Sequence, residues 1–203
     1  GYTELQGCNS FWELVAMGQQ FGLPTRLLDW TYSPLVAAHF ATEDIDYYDR
    51  DGVIWCVNIE DVNSNLPPAL RQKLSEQRAE IFTREILEDV AHNFTSLQAL
   101  SDQPFALFFE PASTVNRIAN QYALFSAVSD PAVTLLDLPE SECFVRLIIS
   151  KKAKLEIRDK LDYINISERM IYPGLDGICR WIARRYAPLG PRYNAEHAKE
   201  EQP

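Results

Sequence analysis

The stretch Gln20-Phe21-Gly22-Leu23-Pro24-Thr25-Arg26-Leu27-Leu28-Asp29-Trp30-Thr31-Tyr32-Ser33-Pro34 decides how the chain is read. It holds the end of one helix, an extended segment and the start of a second helix. Upstream, Ser10 and Glu13 form a Ser-x-x-Glu capping-box pattern, and Phe11, Leu14, Val15 and Met17 recur at helical spacing. These features predict a helix over 10–21, stopped by Gly22 with Pro24 just beyond. Residues 26–31 read as extended chain. Ser33 then serves as N-cap and Pro34 as the first residue of a helix that carries Leu35, Ala38 and Phe40 towards Thr42.

Working outward, Asp51-Gly52 marks a turn, and the apolar run 53–59 predicts a buried strand. Residues 67–100, rich in Leu, Glu, Gln and Arg, predict two or three helices. Strands are expected over 105–109, 122–128 and 143–150, with a short helix or turn over 116–121 between the first two. A charged amphipathic helix is expected over 151–161, with a solvated face. The last helix, over 174–186, carries Leu175, Ile178, Trp181 and Ile182 on one stripe, with Asp176 as its cap. Strands and helices interleave irregularly. That order predicts an α+β fold, a mixed β-sheet with several surrounding helices. One domain is expected over 1–187, followed by a polar tail over 188–203.

The composition agrees with a globular domain. The chain has 203 residues, 46% of them hydrophobic and 24% charged, which is ample for a hydrophobic core. No apolar run approaches the roughly eighteen residues of a membrane span. The start, Gly1-Tyr2-Thr3-Glu4, has no basic region leading into an apolar stretch, so it does not read as a signal peptide. It also lacks Met, which marks a fragment or a processed chain. A net charge of −10 disfavours general nucleic-acid binding, which rests on Lys and Arg facing phosphates. Arg180, Arg184 and Arg185 are close in sequence and read as a solvated helix face.

The four cysteines, Cys8, Cys56, Cys143 and Cys179, form no C-x-x-C pair, and the three histidines, His39, His92 and His197, are equally scattered. No metal site is expected. Cys56 and Cys143 sit in apolar runs and read as buried small hydrophobes, which favours a reducing, cytoplasmic setting.

The quoted stretch, with Ser33-Pro34-Leu35 and Ala38-His39-Phe40-Ala41 after it, resembles the central signature of the FRG domain family. Two later segments agree in order. Arg117-Ile118 with Gln121 and Phe125 is similar to the family's R-I-x-x-Q-x-G-x-F entry to a strand, with Ala123 at the usual Gly. Tyr172-Pro173-Gly174-Leu175-Asp176-Gly177 is similar to its F-P-x-L-D-G turn. The resemblance spans roughly Phe11 to Trp181. The Phe-Arg-Gly motif that names the family is not among these residues, and its place is upstream of Gly1.

The pattern also resembles, more distantly, the ADP-ribosyltransferases. In that fold an Arg on a first strand grips dinucleotide phosphates, a Ser-Thr-Ser-like strand precedes a helix, and a Glu or Gln on a third strand bonds the nicotinamide ribose. The resemblance implies NAD as substrate, with Thr31 and Ser33 shaping the nicotinamide-ribose pocket and Gln121 bonding the ribose 2′-hydroxyl. Arg26, Asp29, Trp30 and Arg117 are the implied cofactor contacts. An amide in place of a carboxylate at Gln121 weakens stabilisation of an oxocarbenium-like ribose by about 2–3 kcal/mol. Glu110 is the acidic residue able to supply that charge. The alternative is a non-catalytic module that recognises a ligand or a protein. A place in a bacterial toxin or phage-defence system is compatible with the family.

Each of these residues also has a structural reading. Thr31 and Ser33 end a strand and cap a helix. Arg26 and Asp29, three apart in extended chain, face opposite sides or join a network that fixes the loop. Arg117 and Gln121 share a face if helical. Trp30 supplies core area or stacks on a base. No Gly-x-Ser-x-Gly elbow or placed Cys–His pair supports a hydrolase.

Overall fold

The computed structural model describes residues 10–111 and 116–187. The tail expected over 188–203, together with Cys8 and His197, lies outside the described residues. The elements begin with α1 (Phe11–Gln20), β1 (Leu27–Thr31), α2 (Pro34–Thr42), β2 (Gly52–Val57), α3 (Ile59–Ser64) and α4 (Pro68–Gln77). Next come β3 (Phe82–Thr83), α5 (Arg84–Val90), α6 (Phe94–Gln98), β4 (Ala106–Glu110), α7 (Asn116–Asn120) and β5 (Ala123–Val128). The order ends with β6 (Phe144–Ile149), α8 (Lys154–Tyr163), α9 (Glu168–Ile171) and α10 (Leu175–Tyr186). The fold is α+β with a mixed sheet, as read from the sequence. The chain divides into two compact units. The first comprises Gly1–Tyr32, Val57–Ala119 and Ala123–Val145, and the second Ser33–Cys56, Asn120–Tyr122 and Arg146–Pro203.

The first unit is built on a four-stranded sheet in the order β1-β5-β4-β3. β5 runs antiparallel to both β1 and β4, and β3 runs parallel to β4. Side chains alternate across a strand, so the register sorts them by face. Leu27, Leu107, Phe109, Phe125 and Ala127 face one core with Trp12 of α1, Leu70 and Leu74 of α4, Leu87 of α5 and Leu97 of α6. Phe108 and Leu124 face a second, smaller core with Val62 of α3 and partly buried Trp30. Both faces of β4 are therefore covered, and its run Ala-Leu-Phe-Phe is buried throughout. The indole N–H of Trp12 donates to the Ala91 carbonyl at 2.6 Å, which ties α1 to the end of α5.

α1 starts where the Ser10 hydroxyl accepts the Glu13 amide at 3.1 Å, and the Glu13 carboxylate pairs with Arg84. It ends in a Schellman pattern. Gly22 takes φ +87°, and the amides of Leu23 and Gly22 donate to the carbonyls of Gly18 and Gln19.

The second unit holds α2, α8, α9 and α10 and most of a two-stranded sheet, β2 with β6. α2 is capped by the Ser33 hydroxyl, which accepts the Val36 amide, and has Pro34 in its first turn. It buries Val36, His39 and Thr42, while Leu35 and Phe40 are exposed. Val36 packs with Ile171 and Tyr172 in a small apolar core. Around it runs a buried polar network. Arg158 of α8 donates to His39 Nδ1 at 2.8 Å, so the proton on Nε2 goes to Glu43 at 3.2 Å. Tyr172 donates to the same Glu43 oxygen at 2.9 Å. Arg184 of α10 bonds both Glu168 and Asp162.

Several expectations are corrected. The run 53–59 is not a buried strand. β2 stops at Val57, Asn58 caps α3, and Val53, Trp55 and Cys56 are exposed, because a two-stranded sheet covers less of its surface than a central strand enjoys. Cys143 is only partly buried. The charged helix does not present only a solvated face, since Lys154 and Arg158 of α8 are buried, each with a hydrogen-bond partner. The stripe of α10 points outward, with Leu175, Ile178 and Ile182 exposed, and Gly174 rather than Asp176 takes the N-cap place. The short β3 and α9 had no counterpart in the sequence reading. Among the described residues, no helix is long and apolar enough to cross a membrane.

Candidate functional site

On β1, Leu27, Asp29 and Thr31 share a face. Leu27 is buried in the main core, whereas Asp29 and Thr31 carry the same face beyond it. Alternation thus turns a core strand polar towards its end. The end of α1 meets this polar part. Gln19 Nε2 donates to Asp29 Oδ2 at 3.2 Å, and the Thr25 hydroxyl donates to Gln19 Oε1 at 2.5 Å. Thr25 Oγ1 in turn accepts the Leu27 amide at 3.1 Å, fixing the entry to the strand. From α7, Arg117 Nη1 donates to the Gln20 carbonyl at 3.0 Å. Gln20 is 6% exposed, and its Oε1 is buried with no hydrogen-bond partner among the described residues.

The electrostatics of this group centre on Asp29. The protein around its carboxyl raises its pKa by desolvation, while the Gln19 hydrogen bond and the positive charge of Arg117 pull it down. Asp29 nevertheless keeps exposed surface, so solvent and solutes reach it. α1, β1 and α7, up to 97 residues apart in sequence, supply an acceptor carboxylate, a guanidinium and two amides within one unit.

The remaining expected residues have other partners. Arg26 donates from Nη2 to the carbonyls of Val128 and Ser129 at 2.8 and 2.9 Å, and its guanidinium lies 4.3 Å from the Phe94 ring centroid. Burial lowers its pKa and Asp130 opposes that shift. Arg26 and Asp29 thus hold different partners, although both stabilise the same strand. Trp30 donates to Ser126 Oγ at 2.9 Å and packs edge-on against Phe108, so it serves the smaller core. Ser33 and Gln121 belong to the second unit. Ser33 caps α2. Gln121 is 7% exposed and its amide nitrogen reaches the Ile171 carbonyl at 3.4 Å, beside the Asn120 bond to the Met170 carbonyl at 2.7 Å.

Glu110, at the end of β4, accepts the Tyr32 hydroxyl at 2.7 Å. Burial and the Glu110 carboxylate together push the Tyr32 pKa well up. By alternation from Phe108, Glu110 sits on the Trp30 side of the sheet, opposite Asp29 and Thr31. Gln19, Gln20 and Tyr32 were assigned no role from the sequence. The available signal was a Gln-Gln pair closing an otherwise apolar helix. Among the described residues, no group of three His, Cys, Asp or Glu is placed to hold a metal ion.

No curated protein and no solved structure matches the chain. The FRG domain model matches residues 4–50. That match covers α1, β1 and α2 in full, and the later segments quoted for the resemblance lie outside it. The helix–strand–helix module that carries Gln19, Gln20, Asp29, Thr31 and Ser33 is the part of the chain that is similar to the FRG domain.

Proposed function

We propose that the first unit binds a nucleotide at Asp29, Thr31 and Arg117, and that the ligand is NAD, handled in the manner of an ADP-ribosyltransferase or NAD glycohydrolase. The observation that supports this reading most is the convergence of Asp29, Gln19 and Arg117. A solvent-reached carboxylate accepts from sugar hydroxyls, and a guanidinium pairs with phosphate oxygens. The free Oε1 of Gln20 adds a buried acceptor. Arg26 and Trp30 act in this reading by holding β1 in place. For Ser33 and Gln121, which lie in the second unit, the roles of pocket hydroxyl and ribose 2′-hydroxyl partner are proposed from the sequence resemblance alone. The exposed thiols of Cys56 and Cys179 support a cytoplasmic site of action, and toxin or phage defence is the proposed setting.

A second reading, ligand recognition without turnover, is favoured by the positions of Ser33 and Gln121. Each already holds a backbone group. The test is calorimetric titration of the chain with NAD, together with chromatographic detection of nicotinamide. Binding with release, both lost in Asp29→Ala, is the result expected of an NAD-consuming enzyme, and Gln121→Ala tests separately the role drawn from the resemblance. Binding without release selects the recognition module. Absence of binding overturns the nucleotide reading.

A further inference from the structure

In α10 the usual arrangement of a surface helix is reversed. Such helices turn an apolar stripe to the core and polar residues to solvent. Here the packed side is Gly177, against the Tyr172 and Glu168 carbonyls, together with Arg184, bonded to Glu168 and Asp162. On the opposite side Leu175, Ile178, Ile182 and Tyr186 follow helical spacing and form a stripe exposed at 78%, 41%, 44% and 85%. Arg185 borders this stripe three residues after Ile182. Its guanidinium lies 4.0 Å from the Trp181 ring centroid, and that of Arg169 lies 4.1 Å from it. Neither Arg169 nor Arg185 has a carboxylate partner among the described residues, in contrast to Arg180 and Arg184. In a chain of net charge −10, an apolar stripe with an uncompensated cationic flank is an unusual surface.

We infer that α10 docks an amphipathic helix of a partner protein, one whose apolar stripe is bordered by carboxylates. Apolar residues on both helices supply burial, and Arg169 and Arg185 fix orientation against the acidic flank. The charges argue against a second copy of this chain as the occupant. A two-fold contact presents a patch to itself, so an antiparallel pairing of two α10 helices sets the arginine flank against its own copy.

The probe is a synthetic peptide of about 20 residues, long enough to be helical, with Leu along one stripe and Glu on its flanks. A second peptide carries Lys in place of each Glu. Binding to the full chain is read by fluorescence anisotropy. The acidic peptide should bind at least about tenfold tighter than the basic one, and should weaken as ionic strength rises from about 0.05 to about 0.5 M. Ile178→Asp should abolish binding with the circular dichroism unchanged, and Arg185→Glu should narrow the difference between the two peptides. Equal affinity for both peptides, or no binding of either, overturns the proposal. Self-association in sedimentation that Ile178→Asp removes overturns it as well, by assigning the stripe to a second copy.

Discussion

Replacing Gly177 with Ala should destabilise the second unit, although helix propensity alone predicts the reverse. Gly177 lies inside α10, where Ala is favoured over Gly by about 1 kcal/mol. A Cβ built at this position falls 1.8 Å from the Tyr172 carbonyl oxygen, 2.5 Å from the Glu168 carbonyl oxygen and 2.8 Å from the Tyr172 carbonyl carbon. All three are backbone atoms, so no side-chain rotation relieves the overlap. α10 must shift by about 1 Å or more in a close-packed setting, which disturbs the Arg184 bonds to Glu168 and Asp162. Overpacking costs about 1–3 kcal/mol, and an overlap with backbone atoms belongs at the upper end, so after the gain of about 1 kcal/mol in propensity the net loss should be about 2 kcal/mol. Gly174 is a useful contrast. Nothing lies within 4 Å of its built Cβ, but φ +93° and ψ −164° belong to a region almost reserved for glycine, so Gly174→Ala should cost about 1–3 kcal/mol through backbone strain alone. Urea unfolding followed by circular dichroism and tryptophan fluorescence measures both, with the midpoint falling at constant slope. A neutral or stabilising Gly177→Ala would refute the close approach of α10 to the Tyr172 carbonyl.

Three further outcomes are expected. Arg26→Ala removes the bonds to the Val128 and Ser129 carbonyls and the cover over Phe94, and should cost about 1.5–3 kcal/mol in urea unfolding, with Arg26→Lys recovering only part. Burial raises the Asp29 pKa, so the folded state holds that proton more tightly than the unfolded chain. The resulting stability is full below the unfolded pKa and is lost as pH rises through the folded one. Asp29→Asn should therefore be at least as stable as the parent at pH 7 and no more stable at pH 3, as read by thermal unfolding across pH, while losing the proposed ligand. Glu168 behaves in the opposite sense. Burial alone would raise its pKa, but the hydrogen bonds and charge of Arg184 hold it below the usual carboxylate range, so its contribution is present above the unfolded pKa and lost as pH falls through the folded one. Glu168→Gln should cost about 3 kcal/mol at pH 7 and flatten the acid limb of the stability profile.

Local signals were the most legible part of the fold. Ser10, Gly22, Ser33 and Pro34 mark helix ends by mechanisms that involve only a few neighbouring residues, and α1 and α2 begin and end within a residue of their expected bounds. Burial was less legible, because it depends on what the rest of the chain places opposite. The runs at 53–57 and 144–149 are as apolar as β4, yet they pair in a sheet of two strands and remain largely exposed. Arg158 shows the converse. It reads as one more charge on an exposed helix until His39, Ile166 and Asp162 are brought around it.

The candidate site was legible in its residue types but not in their division of labour. The segment from Gln20 to Thr31 concentrates polar residues that can serve either a ligand or the fold, and one-dimensional spacing treats them alike. The structure separates them by where each side chain finds an acceptor. Arg26 reaches main-chain carbonyls 102 and 103 residues away, and Trp30 reaches Ser126, so both are committed to joining β1 to β5 and to Ser129 just past its end. Asp29 lies between them in sequence but, among the described residues, meets a glutamine and the charge of Arg117, and it keeps exposed surface. A strand pinned on either side by Arg26 and Trp30 holds its solvent-reached carboxylate with one oxygen engaged by Gln19, so less of the strand's order depends on Asp29 itself. On this argument the structural role of Arg26 and Trp30 is a condition for a binding role at Asp29, and their variants should weaken any ligand held there in proportion to the order lost in β1.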